Sequence, residues 1–145
     1  MLNVEDMPLD EMQRFLEHIG FGHLGCSRDD HPYVVPIYYA YYRESIYFFT
    51  TEGFKTECLA ANSKVCLQVE HVYDTHHWKS VIVRGEAERL TRPETIEHAF
   101  RIIFKQYHTL MPPLSRTTVG GMERDNRIAF YRISPAGITG RKTIG

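Results

Sequence analysis

The middle of the chain is a succession of strand-like segments joined by short turns, and this succession limits the possible folds more than any other feature. The segments are rich in Val, Ile, Tyr and Phe, which pack well on pleated sheets, and several alternate apolar with polar residues. They are Phe21–Ser27, Tyr33–Tyr42, Ser45–Thr50, Lys64–Val72 and Lys79–Leu90. Because strands and helices do not alternate regularly, the pattern argues against a doubly wound parallel sheet and predicts a small antiparallel β-barrel.

Three helices are predicted around this barrel. Residues Met7–Ile19 place apolar side chains at helical spacing, and Gly20 can end that helix in a left-handed cap. The segment Phe54–Ala61 is predicted to be a short helix inserted among the strands. A capping-box signature, Thr91-Arg92-Pro93-Glu94, predicts the start of a third helix that ends near His108.

The C-terminal part is predicted to contain a long loop, Thr109–Asn126, then a strand, Arg127–Ile133, and a tail, Gly137–Gly145. Loops of this length are uncommon unless they are functional or mobile. The chain has 145 residues, which is the size of one domain. We therefore expect residues 1–145 to form a single, mainly β domain with peripheral helices.

The composition excludes several classes of protein. Hydrophobic residues make up 43% of the chain and charged residues 24%, as in average globular proteins, so disorder and coiled coil do not fit. The formal net charge of −1 gives no electrostatic basis for binding nucleic acid or an acidic membrane. No apolar run approaches the ~18 residues of a membrane-spanning helix. The acidic residues near the N-terminus argue against a signal peptide.

The cysteine and histidine residues indicate neither a disulfide framework nor a metal centre. Three cysteines are an odd number and have no CxxC spacing, which predicts reduced thiols in the cytoplasm. Cys58 and Cys66 are interpreted as small core residues. His71, His76 and His77 lie in a predicted strand-to-strand loop without a matching set of ligands, so we expect a solvated loop and no metal.

A candidate anion site lies where a strand ends in two hydroxyl residues and the short helix begins. Thr50 and Thr51 precede that helix, and Lys55 and Thr56 lie in its first turn. The free N–H groups and positive dipole of a helix N-terminus suit a phosphate, and threonine hydroxyls can donate to phosphate oxygens. A lysine there has the wrong sign for the dipole unless an anion lies between them. The alternative is an ordinary N-cap at Thr51 with an exposed lysine.

Two further segments are candidate ligand contacts. Pro36 interrupts a strand and leaves neighbouring backbone groups free to bond a planar heterocycle; the alternative is a plain edge strand or a bulge. The only tryptophan, Trp78, opens another strand, in which Gly85 allows a close approach or marks a bulge. The alternative there is a core tryptophan beside a strand bend.

Taken in order, three segments resemble the pyridoxamine 5′-phosphate oxidase-like family of FMN-binding split barrels, and more narrowly the small nitroimidazole-resistance proteins. They are HPYVVPIYYAYY, IYFFTTEGFKTECLAANSKVCLQVE and WKSVIVRGEAERL. The resemblance covers about Gly20–Leu90 well and Ile138–Lys142 more loosely. It implies a small antiparallel split β-barrel with outer helices, and a homodimer that holds FMN at the subunit interface.

The resemblance also assigns three groups of residues to FMN. Val35, Pro36, Ile37 and Tyr38 would lie against the isoalloxazine ring. Thr50, Thr51, Lys55 and Thr56 would hold the phosphate, which matches the independent anion argument. Trp78, Lys79 and Ser80 would line the flavin, from the other side of the interface.

These implications predict an FMN-dependent oxidoreductase that passes electrons from reduced flavin to a small organic acceptor such as a nitro compound. The flavin would carry the redox chemistry, and no side chain stands out as an acid or base, so no catalytic residue is assigned. Two alternatives stay open: a flavin-binding or sensing protein without turnover, and a split barrel that binds heme. The sequence has no nicotinamide-binding fingerprint that would identify the electron donor.

Overall fold

Nine strands and three helices make up the part of the chain that the computed structural model describes, residues 1–107, 116–125 and 127–145. The strands are β1 (Asn3–Asp6), β2 (Phe21–Arg28), β3 (His31–Tyr42), β4 (Ser45–Thr51), β5 (Lys64–Asp74), β6 (His77–Arg89), β7 (Arg116–Val119), β8 (Met122–Asp125) and β9 (Ile128–Ile144). The helices are α1 (Leu9–Ile19), α2 (Phe54–Ala61) and α3 (Pro93–Gln106). None of the described helices is long and apolar enough to cross a membrane.

The main sheet closes on itself as an antiparallel barrel. Its strands run in the order β1-β9-β4-β3-β2-β5-β6, and β6 pairs back onto β9, so the ring is complete without β1. Closure of this kind removes most of the unpaired edges that an open sheet would present. The prediction of a mainly β split barrel with peripheral helices is therefore confirmed.

The predicted hairpin turns and the first helix end are confirmed by backbone geometry. Gly20 ends α1 with a φ of 72°, in the left-handed region. Asp29-Asp30 and Arg43-Glu44 also have positive φ, as two-residue turns between antiparallel strands require. The helix α2 has the predicted bounds, Phe54–Ala61.

The prediction for the C-terminal end of the chain is wrong. Instead of a strand to Ile133 and a tail, β9 continues to Ile144 and pairs with β4, β6 and β1 along its length. A register shift opposite Arg84 and Gly85 accommodates Pro135, so the proline bends the strand without ending it. A Cβ on Gly85 would lie 2.3 Å from the Ser134 carbonyl oxygen, so the glycine permits the close approach of β9 at this bulge.

Two local predictions in the second half of the chain also need correction. The capping box at Thr91 is not formed: α3 has Arg92 as its N-cap without a side-chain cap, and Glu94 accepts hydrogen bonds from Arg92 instead. The predicted loop Thr109–Asn126 contains a small hairpin, β7 and β8, which turns at Gly120-Gly121. The rest of that loop and His108 lie outside the described residues.

Two apolar clusters fill the fold. The barrel interior holds the larger one, which includes Leu24, Phe48, Cys58, Leu67 and Val83. Because Cys58 and Leu59 belong to this cluster, α2 packs into the barrel and is not a surface appendage. The smaller cluster lies under α3. Cys58 is thus a core residue as predicted, whereas Cys66 is exposed on the outer face of β5, because side chains alternate along that strand.

Candidate functional site

The barrel is split between β3 and β4. These strands pair only from Tyr39 opposite Phe48 to Tyr42 opposite Ser45. Beyond that point residues 31–38 of β3 pair with β2, and the end of β4 pairs with β9. One edge of residues 31–38 therefore has no strand partner among the described residues, and its backbone N–H and C=O groups are available to a ligand. Pro36 lies in this half-open segment, as its lack of an N–H predicts.

Helix α2 begins at the same opening. The ring of Phe54, its first residue, packs edge-on against Tyr33 of β3 with centroids 4.8 Å apart. The N-cap Gly53 donates its N–H to the Thr56 hydroxyl (3.0 Å), and that hydroxyl donates to the Gly53 carbonyl (2.9 Å). The Thr56 side chain thus shapes the turn, and its hydroxyl proton is used within the chain. The first N–H groups of α2 face outward from the helix end.

Lys55 is the cation of this turn. Its side chain is half-buried, and burial lowers its pKa below the ordinary value for lysine. No carboxylate of the described residues contributes an opposing effect on this pKa. Removing a charged ammonium from water without a counter-ion is unfavourable, so Lys55 in this position is suited to an anion that the chain itself does not supply.

The two threonines at the end of β4 point to opposite sides of the sheet. Thr50 is 6% exposed and pairs with Ala129; it follows Phe48 in the alternation of side chains that fill the barrel. Thr51 pairs with Ile128 and is half-buried on the side of α3. Lys55 and the threonines therefore share the end of the split, but the two hydroxyls do not share one face.

The predicted ring-binding segment presents its backbone, not all its side chains. Val35 and Ile37 point into the barrel, where they are 8% and 5% exposed. Pro36 and Tyr38 point outward, and Tyr38 is 45% exposed. A planar ligand at the half-open edge would thus meet the main chain of this segment together with the Pro36 and Tyr38 side chains.

Tyr38 belongs to an aromatic cluster that the sequence did not reveal. Its ring contacts Phe21 of β2 and Tyr107 at the end of α3, with centroids 5.1 Å and 5.4 Å apart. Burial raises the pKa of Tyr107 to about 12. The three rings are far apart in sequence: the strand register places Phe21 opposite Tyr38, and the packing of α3 on the barrel adds Tyr107.

The third predicted group lies on another part of the barrel. In the sheet order, β2 and β5 separate β3 from β6, so Trp78, Lys79 and Ser80 lie about 14 Å along the sheet from the β3 segment. The Ser80 hydroxyl accepts a hydrogen bond from Gln68 Nε2 (3.1 Å). Lys79 Nζ lies 3.9 Å from Glu11 Oε2. Within a single chain, Trp78, Lys79 and Ser80 therefore do not reach the split between β3 and β4.

The outer face of β2, β3, β5 and β6 carries apolar side chains in the open. Val34, Phe21 and Ile82 are 64%, 39% and 37% exposed there. A cavity of about 740 Å³ lies against this face, bordered by Val34, Cys66 and Arg84 among others, and it includes none of the predicted site residues. A smaller cavity of about 440 Å³ includes Trp78 and Ser80.

The histidines of the β5–β6 hairpin are organised by a carboxylate. Asp74 accepts from the His76 backbone N–H and lies 2.8 Å from His77 Nδ1, and the hydrogen bond from His76 is the first cause of its lowered pKa. His71 stacks on Tyr73. In the described ranges, no group of three or more His, Cys, Asp or Glu side chains is arranged to hold a metal ion.

Comparisons with known proteins agree with this architecture. A family profile described as pyridoxamine 5′-phosphate oxidase matches residues 8–142. An uncharacterized protein of Rhizobium meliloti is 35% identical over 95 residues, which are 66% of this chain and 63% of the relative. The match thus spans less than two thirds of the relative's length.

Two solved structures share the fold. A FAD-binding protein from Mesorhizobium loti is 29% identical, covers 100% of both chains and superposes with a TM-score of 0.77. A candidate 5-nitroimidazole antibiotic resistance protein from Bacteroides thetaiotaomicron is 20% identical, with 99% of this chain and 89% of the other covered and a TM-score of 0.75. The latter similarity establishes the fold alone.

Proposed function

Since the chain belongs to the pyridoxamine 5′-phosphate oxidase family, we propose that it is an FMN-binding flavoprotein that passes electrons from reduced flavin to a small organic acceptor. The FAD-binding relative from Mesorhizobium loti supports a flavin in general. The choice of FMN rests on the resemblance described above and on the anion site at α2. A nitro compound is the acceptor class that the nitroimidazole-resistance resemblance favours.

The half-buried Lys55 carries the proposal. Its ammonium has lost water and has gained no carboxylate within the described residues, which lowers its pKa. The free N–H groups of α2 and the half-buried Thr51 would complete a cradle for a doubly charged phosphate, whereas Thr50 points into the barrel and supports the end of β4. In this proposal Thr56 fixes the turn through Gly53 and does not itself donate to the phosphate.

The half-open edge of β3 is suited to the flavin ring. Unpaired main-chain groups between Val35 and Tyr38 would hydrogen-bond the polar edge of the isoalloxazine, and Pro36 and Tyr38 would pack on it. When bound, the flavin supplies the hydride or electron transfer, and the chain positions it and excludes water. No described residue needs to act as a dedicated acid or base.

The site is completed by a second copy of the chain in this proposal. Trp78, Lys79 and Ser80 lie three strands from the β3 edge, so they would line the flavin of a partner and not their own. The exposed apolar residues of the outer face, such as Val34 and Ile82, would be buried in the same contact. A homodimer with two flavins explains both observations.

An absorbance spectrum of the purified protein tests the proposal. Oxidised flavin bands are expected, and the cofactor released by denaturation should elute as FMN, not FAD or riboflavin. Bleaching by NADH or NADPH, followed by reoxidation on adding a nitro compound, would support turnover. A Soret band would indicate heme and contradict the proposal. Bound flavin that neither NADH nor NADPH reduces, or that a nitro compound does not reoxidise, would indicate a binding or sensing protein.

A further inference from the structure

Two carboxylates flank the N-terminus of α2, and each meets an arginine from a barrel strand. Glu52 directly precedes the N-cap Gly53, and its Oε1 lies 2.6 Å from Arg89 Nη2 of β6. Glu57 lies in the first turn, with Oε2 3.7 Å from Arg28 Nη1 of β2. The first pair is the closer one, and its glutamate is 35% exposed against 65% for Glu57. It is therefore the less screened of the two.

The Glu52–Arg89 pair is built on fixed backbone. The Glu52 N–H donates to the Arg127 carbonyl at 2.8 Å, which ties the turn to the start of β9. Arg89 is paired with Tyr131 in the sheet. The Tyr131 side chain is 2% exposed, and burial raises its pKa, an effect that the nearby Arg89 opposes and the nearby Glu52 reinforces. Neither partner of the pair is on a loose segment.

The position of Glu52 is electrostatically adverse to the proposed ligand. A phosphate monoester carries a charge of roughly −1.5 to −2 near neutral pH. Glu52 lies between Thr51 and Gly53, inside the segment that would hold this group. An unpaired carboxylate there would oppose the charge of Lys55 and the helix dipole, and it would repel the phosphate.

We propose that Arg89 is a positioning residue for the flavin phosphate: it holds the Glu52 carboxylate toward β6 and neutralises its charge. Lys55 and the N-terminus of α2 then face the phosphate without an opposing carboxylate. The proposal rests on the proposed function. It assigns to Arg89 an effect that acts through Glu52, not a contact with the ligand.

A double-mutant cycle measured with two ligands tests this role. FMN and riboflavin are titrated, in about 0.05 M salt so that screening is weak, into the wild type, Arg89→Met, Glu52→Gln and the double variant. Arg89→Met should weaken FMN binding about tenfold, which corresponds to one unpaired charge near the phosphate. Riboflavin, which has no phosphate, should bind the wild type and Arg89→Met equally. The double variant should regain FMN affinity to within about threefold of the wild type.

Arg28→Met is the matched control, because it removes an arginine from the other glutamate of the same helix end. It should leave the FMN-to-riboflavin affinity ratio within about twofold of the wild type, because Glu57 is 65% exposed and lies 3.7 Å from Arg28, so it is only weakly paired to begin with. Thermal melts of the ligand-free variants separate folding defects from binding defects. If Arg89→Met does not fold, Glu52→Gln alone decides: it should bind FMN at least as tightly as the wild type, and a loss of about tenfold would overturn the proposal.

The remaining outcomes are equally distinct. A double variant as weak as Arg89→Met would make Arg89 a direct phosphate ligand and overturn the positioning role. An Arg89→Met protein with an unchanged ratio would overturn it as well. A wild-type protein that binds neither FMN nor riboflavin would refute the proposed function itself. That result is distinct from the two outcomes above, in which the wild type binds FMN and only the role of Arg89 is overturned.

Discussion

The Tyr107 hydroxyl donates a 2.6 Å hydrogen bond to the carbonyl of Gly20, a residue 87 positions earlier in the chain. The same carbonyl accepts from the Tyr39 N–H at 3.0 Å. The bond joins the end of α3 to the left-handed cap of α1, next to the exposed ring of Tyr38. It fixes one side of the aromatic cluster beside the proposed flavin edge.

Gly20 has no room for a side chain. A Cβ there would lie 1.6 Å from the Tyr107 hydroxyl oxygen, and the residue has a φ of 72°. Gly20→Ala should therefore lose both an easy left-handed cap and this hydrogen bond, lowering the free energy of unfolding by about 2–3 kcal/mol in urea melts. Gly53→Ala is the control: its Cβ would meet nothing within 4 Å, so its stability should stay within about 0.5 kcal/mol of the wild type. Equal effects of the two substitutions would contradict the prediction.

Lys55→Ala should weaken FMN binding by about ten- to a hundredfold, because a charge-assisted contact of roughly 1.5–3 kcal/mol is lost. Riboflavin should bind the variant and the wild type almost equally. Fluorescence titration measures both affinities. Lys105→Ala, an exposed lysine in the last turn of α3, removes the same charge elsewhere and should change neither. Unchanged FMN affinity in Lys55→Ala would refute the phosphate assignment.

FMN affinity should depend on pH in a way that riboflavin affinity does not. Burial lowers the pKa of Lys55 in the free protein, and a bound phosphate would raise it again. Binding is therefore strongest below that lowered pKa and weakens as the pH rises through it. It also weakens below about pH 6, where the phosphate gains a proton. Titrations across this range should show that FMN affinity no longer declines at high pH in Lys55→Ala, while its decline at low pH remains. A high-pH decline that persists in this variant would mean that another group causes it.

Tyr38→Phe should change turnover by less than about threefold while FMN stays bound, because the Tyr38 ring packs against Phe21 and Tyr107 and its hydroxyl is not required for that packing. Steady-state rates with a nitro acceptor measure this. General acid catalysis contributes typically about 10²–10⁴-fold, so a loss of that size would make Tyr38 a proton donor.

Light scattering should give about twice the chain mass of 16.9 kDa. Ile82 is 37% exposed at the centre of the outer face, so Ile82→Glu would bury a charge in the proposed dimer contact and should shift the protein to monomer and release flavin. Leu9→Glu, a more exposed apolar position at the start of α1, should remain dimeric. A monomeric wild type that retains FMN would contradict the shared site.

Local sequence determined the elements whose signals lie within a few residues. Gly20 ends α1 because glycine tolerates a positive φ, and Asp29-Asp30 and Arg43-Glu44 turn the chain between strands. The alternation of Val83 and Ala87 with the charged residues Arg84, Glu86 and Glu88 indicated the inward face of β6. The position of Lys55 in the first turn of α2 was likewise evident from residue order, since charge and dipole are local properties, whereas its half-burial comes from the packing of α2.

Tertiary structure decided what depends on residues far apart in sequence. Pro135 and Gly137 carry the signature of a break, yet β9 passes through them because Gly85 of β6 allows a bulge. Glu94 has the signature of a capping residue but accepts from Arg92, since a guanidinium competes with the backbone for its oxygens. The pairing of Glu52 with Arg89 has no sequence signal, because the registers of β4 and β6 on β9 together bring them close. Local propensity sets what each segment can form, and the packing of the closed barrel selects among those possibilities.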